Sequence, residues 1–259
     1  MIISHKHRFI FVHCRKVAGS SIKVALAPYL GDDDIVIGSI HEILDAGYPL
    51  NRAAKTAIFR PVSLLNVAGA ILCGKKINEA LNIGVKSHYR GRLSQNPPHP
   101  TAVEMSKFFE KEWNSYFKFA FVRNPYEQAI SDYHWRRKST GVHISFREYL
   151  IELLQGSNAA NKLAHANSVS NLDMVAIDNE IVVDRLGRYE DLESDFSEVA
   201  SYLNLRDASL GKRQKRGMKN VGLASFYGSE ELQIAGELFA REMECFDYTV
   251  PDELRGTVA

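Results

Sequence analysis

The sequence is poor in cysteine, and its few cysteines are not arranged for cross-links or metal binding. Its 259 residues include three, Cys14, Cys73 and Cys245, an odd number spread widely along the chain. This spacing argues against a disulfide framework and against a zinc site, and it fits a reducing compartment. We expect all three to be buried thiols.

The sequence also lacks a long hydrophobic run. His5 and Lys6 interrupt the first apolar residues, which removes the apolar core that a signal peptide needs. The longest apolar stretch, residues 62–73, contains Ser63 and Asn66 and is too short to cross a bilayer. We therefore expect a soluble cytoplasmic protein with no membrane span.

A large excess of charge of one sign is missing too. The formal net charge is +1, so the composition as a whole favours neither nucleic acid nor a membrane as partner, and any electrostatic function must be local. The length fits one α/β domain. We expect a single domain over residues 1–259, with an insertion at about residues 40–100 where the pattern is weakest.

Short β-branched or aromatic runs alternate with helical patterns. The predicted strands are residues 9–13, 34–37, 117–122 and 181–183. Thr101 and Glu104 form a capping-box pattern before an apolar helical stripe, and Asn124-Pro125 begins a helix directly after a strand. This alternation predicts an α/β fold with a central, mostly parallel sheet flanked by helices.

One strand-to-helix junction combines a lysine, a glycine and two hydroxyls, in the sequence RKVAGSS at residues 15–21. Such a junction presents free backbone N–H groups and the positive end of a helix dipole, which favour an anion. Gly19 would allow close backbone approach, and Lys16 would add a positive charge. Ser20 and Ser21 would donate hydrogen bonds. The segment predicts a phosphate-sized site, with an ordinary turn and a solvated lysine as the alternative.

A second junction places an arginine at the end of a strand. The run FKFAFVRNPY occupies residues 117–126, and Arg123 stands between the strand and the helix that follows. Parallel α/β sheets bind ligands at the carboxyl ends of their strands, and a planar guanidinium suits a second phosphate.

Both junctions resemble motifs of one family. HCRKVAGSSI is similar to the 5′-phosphosulfate loop, and FAFVRNPYEQAISDY to the 3′-phosphate motif, of sulfotransferases that use 3′-phosphoadenosine 5′-phosphosulfate (PAPS). The membrane-type carbohydrate sulfotransferases are the most similar group. The resemblance runs from residue 8 to about 250, through HPTAVEM and residues 183–192, and leaves residues 40–85 unmatched. It implies a P-loop-NTPase-like three-layer fold and a PAPS-dependent sulfotransferase, here in soluble form.

The resemblance also implies roles for individual residues. Lys16 would be catalytic, by stabilising charge on the leaving oxygen, and no metal is required. The residues expected to bind the nucleotide are Arg15, Lys16, Ala18, Gly19, Ser20, Ser21, Arg123, Ser131, Arg188, Lys215 and Arg216. The family often has threonine and glycine where this chain has Val17 and Ala18, which leaves the number of donors to the 5′ group open. For Arg188, an ion pair with a carboxylate is the alternative.

The acceptor hydroxyl needs a base, and His99 is the candidate. It precedes the Thr101 cap, where related carbohydrate sulfotransferases carry a histidine, and neutral imidazole is available near pH 7. A structural role beside the neighbouring prolines is the alternative, and His88 is the reserve. The expected acceptor is a carbohydrate or another hydroxyl compound, and adenosine 3′,5′-bisphosphate (PAP) is the expected product of the donor.

A basic segment, residues 206–219, contains six cations, among them Lys215 and Arg216, against Asp207. By the same resemblance it would close over the nucleotide, although such a run is usually a solvated surface. The cations that could extend this positive surface toward an acidic glycan are Arg90, Arg92, Arg136, Arg137 and Lys138.

Two other classes stay open. A P-loop kinase would need the order GxxxxGK[ST], whereas Lys16 precedes the glycine of the turn. A non-catalytic nucleotide- or glycan-binding protein would keep the anion site without a working base.

Overall fold

A computed structural model of the chain has a five-stranded sheet at its centre. The structure describes residues 1–156, 170–211 and 222–255. The strands in these ranges are β1 (Ile2–Ser4), β2 (Phe9–Val12), β3 (Ile35–Val36), β4 (Phe117–Val122), β5 (Ala176–Ile177), β6 (Glu180–Ile181) and β7 (Arg185–Arg188). The order in the main sheet is β3-β1-β2-β4-β7, while β5 and β6 pair with each other.

Four strands of the main sheet run in one direction. β2 is parallel to β4, and β4 is parallel to β7. β1 is antiparallel to both β2 and β3, so β3 runs with β2. All of β2 is buried, and because successive side chains of a strand point to opposite faces, both faces of the sheet are covered there. The predicted α/β class is therefore confirmed.

The predicted strands match the structure in three of four places. Residues 181–183 were expected to form a strand of the sheet, but β6 ends at Ile181 and pairs only with β5. The sheet strand at this edge is β7, whose sequence RLGR carries two arginines and a glycine and so has no β-strand signature. β1 was not predicted.

Helices surround the sheet. Those of the described residues are α1 (Gly19–Leu26), α2 (Ile40–Asp45), α3 (Arg52–Ile58), α4 (Pro61–Leu72), α5 (Ile77–Tyr89), α6 (Ala102–Phe108), α7 (Glu110–Ser115), α8 (Pro125–Thr140), α9 (Phe146–Gln155), α10 (Asn171–Val175), α11 (Leu192–Tyr202), α12 (Ser229–Cys245) and α13 (Asp252–Arg255). The predicted capping box of α6 and the Asn124 cap of α8 are both present.

The weakly patterned residues 40–100 contain α2 to α5. Ile58, Val67 and Val85 from this segment join the same buried cluster as the strands of the sheet. A second cluster forms between α8, α9 and α12, with Tyr149 and Phe239 among its members.

The cysteine prediction is correct only in part. Cys14 is buried and Cys245 is half-buried, but Cys73 is exposed. It follows α4, most of whose side chains face solvent. No single helix of the described ranges is long and apolar enough to cross a membrane. α3 and α4 have the length and composition of a membrane span only when they are taken together, and the two helices meet at a bend of 81°.

Candidate active site

The two junctions lie side by side at one edge of the sheet. β2 and β4 are parallel neighbours, with Val12 opposite Ala120. The chain leaves β2 toward β3 on one side and leaves β4 toward β7 on the other. Such a topological switch point opens a crevice at the carboxyl edge of a parallel sheet.

A cleft of about 650 Å³ occupies this crevice. The loop between β2 and α1, the helices α2, α5 and α8, and the residues before α6 line this cleft. Of the predicted site residues, those that line the cleft are Arg15, Lys16, Ala18, Gly19, Ser20 and His99.

The N-terminus of α1 is open toward an anion. Its N-cap residue, Ala18, makes no side-chain cap, and the first turn contains no acidic residue. The first intrahelical bond runs from the N–H of Ile22 to the carbonyl of Ala18, so the N–H groups of Gly19 to Ser21 have no helical acceptor. Ala18 has a left-handed backbone with φ of 60°, at a position where the similar family often has glycine.

Gly19 is required by close packing as well. A Cβ atom at this position would lie 1.8 Å from Cδ2 of His13. The His13 ring therefore occupies the space beside the loop, and any other residue at position 19 would displace the ring or the helix start.

A buried network fixes Arg15. Its guanidinium donates to Asp132 at 3.0 Å, and Asp132 also accepts from Arg136 and from the Tyr149 hydroxyl. Burial alone would raise the pKa of Asp132, but the two arginines outweigh it and hold this pKa below its usual value. The Asn171 side chain binds the backbone of Arg15 through both N–H and carbonyl, at 2.7 and 3.1 Å. The loop is thus held from α8 and from α10.

Lys16 lies where positive charge accumulates. Burial lowers its pKa, Asp132 opposes this, and the positive charges of Arg15, Arg123 and Arg136 lower it further. Arg123, from the second junction, is thus among the positive charges that act on Lys16. The Lys16 ammonium also lies 5.4 Å from the ring centre of Trp135.

His99 has a defined tautomer. Its Nδ1 atom is 2.7 Å from the backbone carbonyl of His13, which can only accept a hydrogen bond, so Nδ1 carries the proton and the neutral ring keeps its lone pair on Nε2. The two histidine rings also contact each other, with centres 4.6 Å apart. Burial, followed by the charge of Arg15, holds the pKa of His99 well below 6.5.

The two serines of the loop face different surroundings. Ser20 lines the cleft, donates to the Glu42 carboxylate at 2.9 Å and contacts the Ser39 hydroxyl at 2.9 Å. Ser21 does not line the cleft but lines a neighbouring cavity beside Pro28 and Tyr48, which Ser20 also lines. The prediction that both hydroxyls serve the 5′ group therefore fits the position of Ser20 better than that of Ser21.

Arg123 is present at the second junction, but it is engaged. Its guanidinium donates twice to Glu127, at 3.1 and 2.7 Å, and stacks on Tyr189 with its carbon 4.3 Å from the ring centre. Ser131 lies two turns further along α8 and is half-buried. A phosphate at this junction would compete with Glu127 for the guanidinium.

Arg188 is used by the fold. It donates to the carbonyls of Phe246 and Asp247 at 3.0 and 3.2 Å, and it stacks on Tyr248 at 4.6 Å. Its side chain thus binds the C-terminal end of α12 and not the carboxylate expected in the alternative interpretation. Its role toward a nucleotide stays a prediction. Lys215 and Arg216 lie outside the described residues.

The other predicted cations are dispersed. Arg136 lines the cleft, whereas Arg137 stacks on Tyr133 and Arg92 on Phe108. His88, the reserve base, contacts the Arg92 guanidinium at 3.2 Å and is not among the residues that line the cleft.

Sequence reasoning did not identify the part of the cleft that α2 and α5 line. Glu42 from α2 and both Asn82 and Lys86 from α5 face the cleft. Burial lowers the pKa of Lys86, Arg90 lowers it further, and Glu42 opposes both effects. These residues lie in helices without a recognisable motif. The only signal in the sequence was the presence of polar residues in helices otherwise rich in apolar ones.

Comparison with known proteins assigns the chain to a family. The family described as "Sulfotransferase family" matches residues 1–249, and the chain belongs to it. Membership identifies the protein as a transferase that acts in sulfotransfer. An uncharacterized protein of Archaeoglobus fulgidus is 27% identical over 107 residues, which are 41% of this chain and 82% of the relative. No solved structure gives a significant match.

Proposed function

We propose that the protein transfers the sulfuryl group of PAPS to a hydroxyl of a carbohydrate. The observation that carries the proposal is the uncapped N-terminus of α1, which opens onto the cleft beside Lys16 and next to the junction of Arg123. The open helix N-terminus at the first junction and the Arg123 guanidinium at the second lie at the ends of neighbouring strands, and together they suit the two ends of one nucleotide. Bound in this way, the 5′-phosphate would be surrounded by backbone N–H groups, as a phosphate is in P-loop proteins.

The side chains divide the chemistry between them. His99, which lines the same cleft as Lys16, would take the proton of the acceptor hydroxyl on Nε2. The hydroxyl oxygen then bonds to sulfur while the bond from sulfur to the 5′-phosphate oxygen breaks. Lys16 would neutralise the negative charge that develops on this leaving oxygen, and the N–H groups of α1 would bind the 5′-phosphate. His13 keeps the His99 ring in the required tautomer.

An acidic carbohydrate is the acceptor that the lining of the cleft favours. Lys86 and Arg136 line the cleft, and Asn82 and Asn96 add amide groups that can bind sugar hydroxyls. Glu42 is a second candidate for the base, because its carboxylate also faces the cleft.

Ligand-dependent thermal unfolding tests the donor site. PAP should raise the midpoint more than AMP or ATP with magnesium at equal concentration, because ligands stabilise the state to which they bind. A larger shift with ATP and magnesium would instead favour a kinase. A PAP shift without sulfate transfer to any of a panel of glycans would favour a non-catalytic binding protein.

A further inference from the structure

α4 exposes large apolar side chains and buries a polar one, which is the reverse of the usual arrangement in a surface helix. Leu72, Leu65 and Phe59, which precedes the helix, are 88%, 74% and 71% exposed, whereas Ser63 is buried at 1%. Val62 and Ile77 are exposed as well. We call these five apolar side chains the α4 patch: Phe59, Val62, Leu65, Leu72 and Ile77. Large exposed apolar side chains that lie together on a surface mark a binding site.

The helix cannot turn this patch inward. Val67 on its inner side packs so closely on α5 that a Cβ atom at Gly84 would lie 2.5 Å from it. The Asn66 side chain donates to Ser87 of α5 at 2.8 Å. The patch is therefore held outward by the packing of the opposite side, and no described residue covers it.

Basic residues predominate around the patch. Residues 46–78 contain five cations and no aspartate or glutamate. Acidic residues from outside this segment are also close by, since Asp32 lines a cavity with Phe59 and Arg60, and Asp45 accepts a hydrogen bond from Asn78. Arg52 forms an ion pair with Asp33. Among the described residues, the other four cations, Lys55, Arg60, Lys75 and Lys76, form no ion pair. A second copy of the chain placed on this patch would bring like charges together, whereas an anionic surface would neutralise them.

We propose that the α4 patch docks the protein onto anionic lipid bilayers, with α4 lying in the plane of the interface. Twelve residues give a helix of roughly 18 Å, against about 30 Å of hydrocarbon in a bilayer, so α4 can lie on a membrane but cannot cross it. Exposed apolar side chains between basic residues are the combination that interfacial helices use. This proposal does not depend on the proposed sulfotransfer.

Vesicle flotation tests the proposal on the full chain. The protein should float with vesicles of phosphatidylcholine and phosphatidylserine, and added salt should weaken this binding. The double variants Leu65→Ser/Leu72→Ser and Lys75→Glu/Lys76→Glu should each lower the partition coefficient by roughly tenfold or more. Leu154→Ser is the matched control, because Leu154 is an exposed leucine on α9, at 43%.

Three results would overturn the proposal: no flotation, equal binding to pure phosphatidylcholine, or a dimer in vesicle-free solution that Leu65→Ser/Leu72→Ser abolishes. Cys73 gives a second readout, because it is exposed directly after α4 while Cys14 is buried. An environment-sensitive dye on Cys73, in a Cys245→Ser background, should shift to shorter emission wavelengths on anionic vesicles, and an unchanged spectrum would contradict docking. The PAP-induced thermal shift should be the same in both double variants.

Discussion

The two strand-to-helix junctions are alike in topology and opposite in how their polar groups are satisfied. At the second junction the Asn124 side chain caps α8, Pro125 has no N–H to satisfy, and Glu127 supplies a negative charge in the first turn. At the first junction α1 has neither a side-chain cap nor an acidic residue. The protein therefore leaves one helix N-terminus free for a ligand and closes the other with its own groups.

This difference assigns unequal tasks to the junctions. The first can bind an anion through backbone N–H groups that need no rearrangement. The second contributes a single side chain, Arg123, which must leave Glu127 to bind a ligand. We therefore expect the first junction to determine turnover and the second to determine preference for a nucleotide with a 3′-phosphate.

The largest expected effect is at Lys16. Lys16→Ala should lower kcat by roughly 10²- to 10³-fold, because it removes charge stabilisation at the leaving oxygen. The dissociation constant of PAP, measured by calorimetry, should change much less, since the backbone N–H groups remain. Lys16→Arg is the control that keeps the charge. Equal losses in kcat and in PAP affinity would assign Lys16 to ground-state binding instead.

The next effect separates the two candidate bases. His99→Gln should lower kcat by about 10²-fold or more, whereas Glu42→Gln should cost far less, because Glu42 accepts a hydrogen bond from Ser20 and serves the loop. Initial rates of sulfate transfer to a glycan measure the effect of each substitution. A large loss in Glu42→Gln with a mild effect in His99→Gln would reverse the assignment.

The pH dependence gives an independent check on His99. The base must be neutral, and the pKa of His99 is held well below 6.5 by burial and by Arg15. In the free enzyme, kcat/KM should therefore stay constant as the pH falls through 6.5 and decline only at lower pH, where the imidazole becomes protonated. A decline centred at or above 6.5 would show that another group titrates.

A smaller effect is expected at Arg123. Arg123→Ala should weaken PAP binding by about ten- to hundredfold, since a hydrogen-bonded charge pair is lost, and should leave adenosine 5′-phosphosulfate binding nearly unchanged. Glu127→Gln should strengthen PAP binding by freeing the guanidinium. Parallel losses for both nucleotides in Arg123→Ala would show that the second junction does not recognise the 3′-phosphate.

The smallest effect concerns the backbone of the first junction. Ala18→Gly should raise the free energy of unfolding by about 0.5–1 kcal/mol, because glycine adopts a φ of 60° without steric cost. Ala25→Gly, inside the same helix, should lower it by about 1 kcal/mol. Urea unfolding measures both. Destabilisation by Ala18→Gly would show that the left-handed turn is not strained.

Local signals in the sequence located the two strand-to-helix junctions. The loop at residues 15–21 and the junction at Arg123 follow strands that are both apolar and short, so neighbouring residues fix each of them. The capping box of Thr101 likewise placed the start of α6 and the adjacent His99. These features depend on contacts within a few residues.

The remaining parts depend on distant contacts. Asn171 holds the backbone of Arg15 across 156 positions in the chain. Glu42 and Lys86 reach the cleft because α2 packs on α1 and α5 packs on α2, and no spacing in the sequence records that packing. β7 has the composition of a loop and becomes a strand because β4 offers it a parallel edge.

His13 contacts both groups that the proposed mechanism uses. Its ring fills the space beside Gly19, while its carbonyl accepts a hydrogen bond from Nδ1 of His99. A shift of the loop on ligand binding would therefore also move the atom that positions His99. In the proposed mechanism, nucleotide binding and the orientation of the base would then be linked through the residue that follows β2.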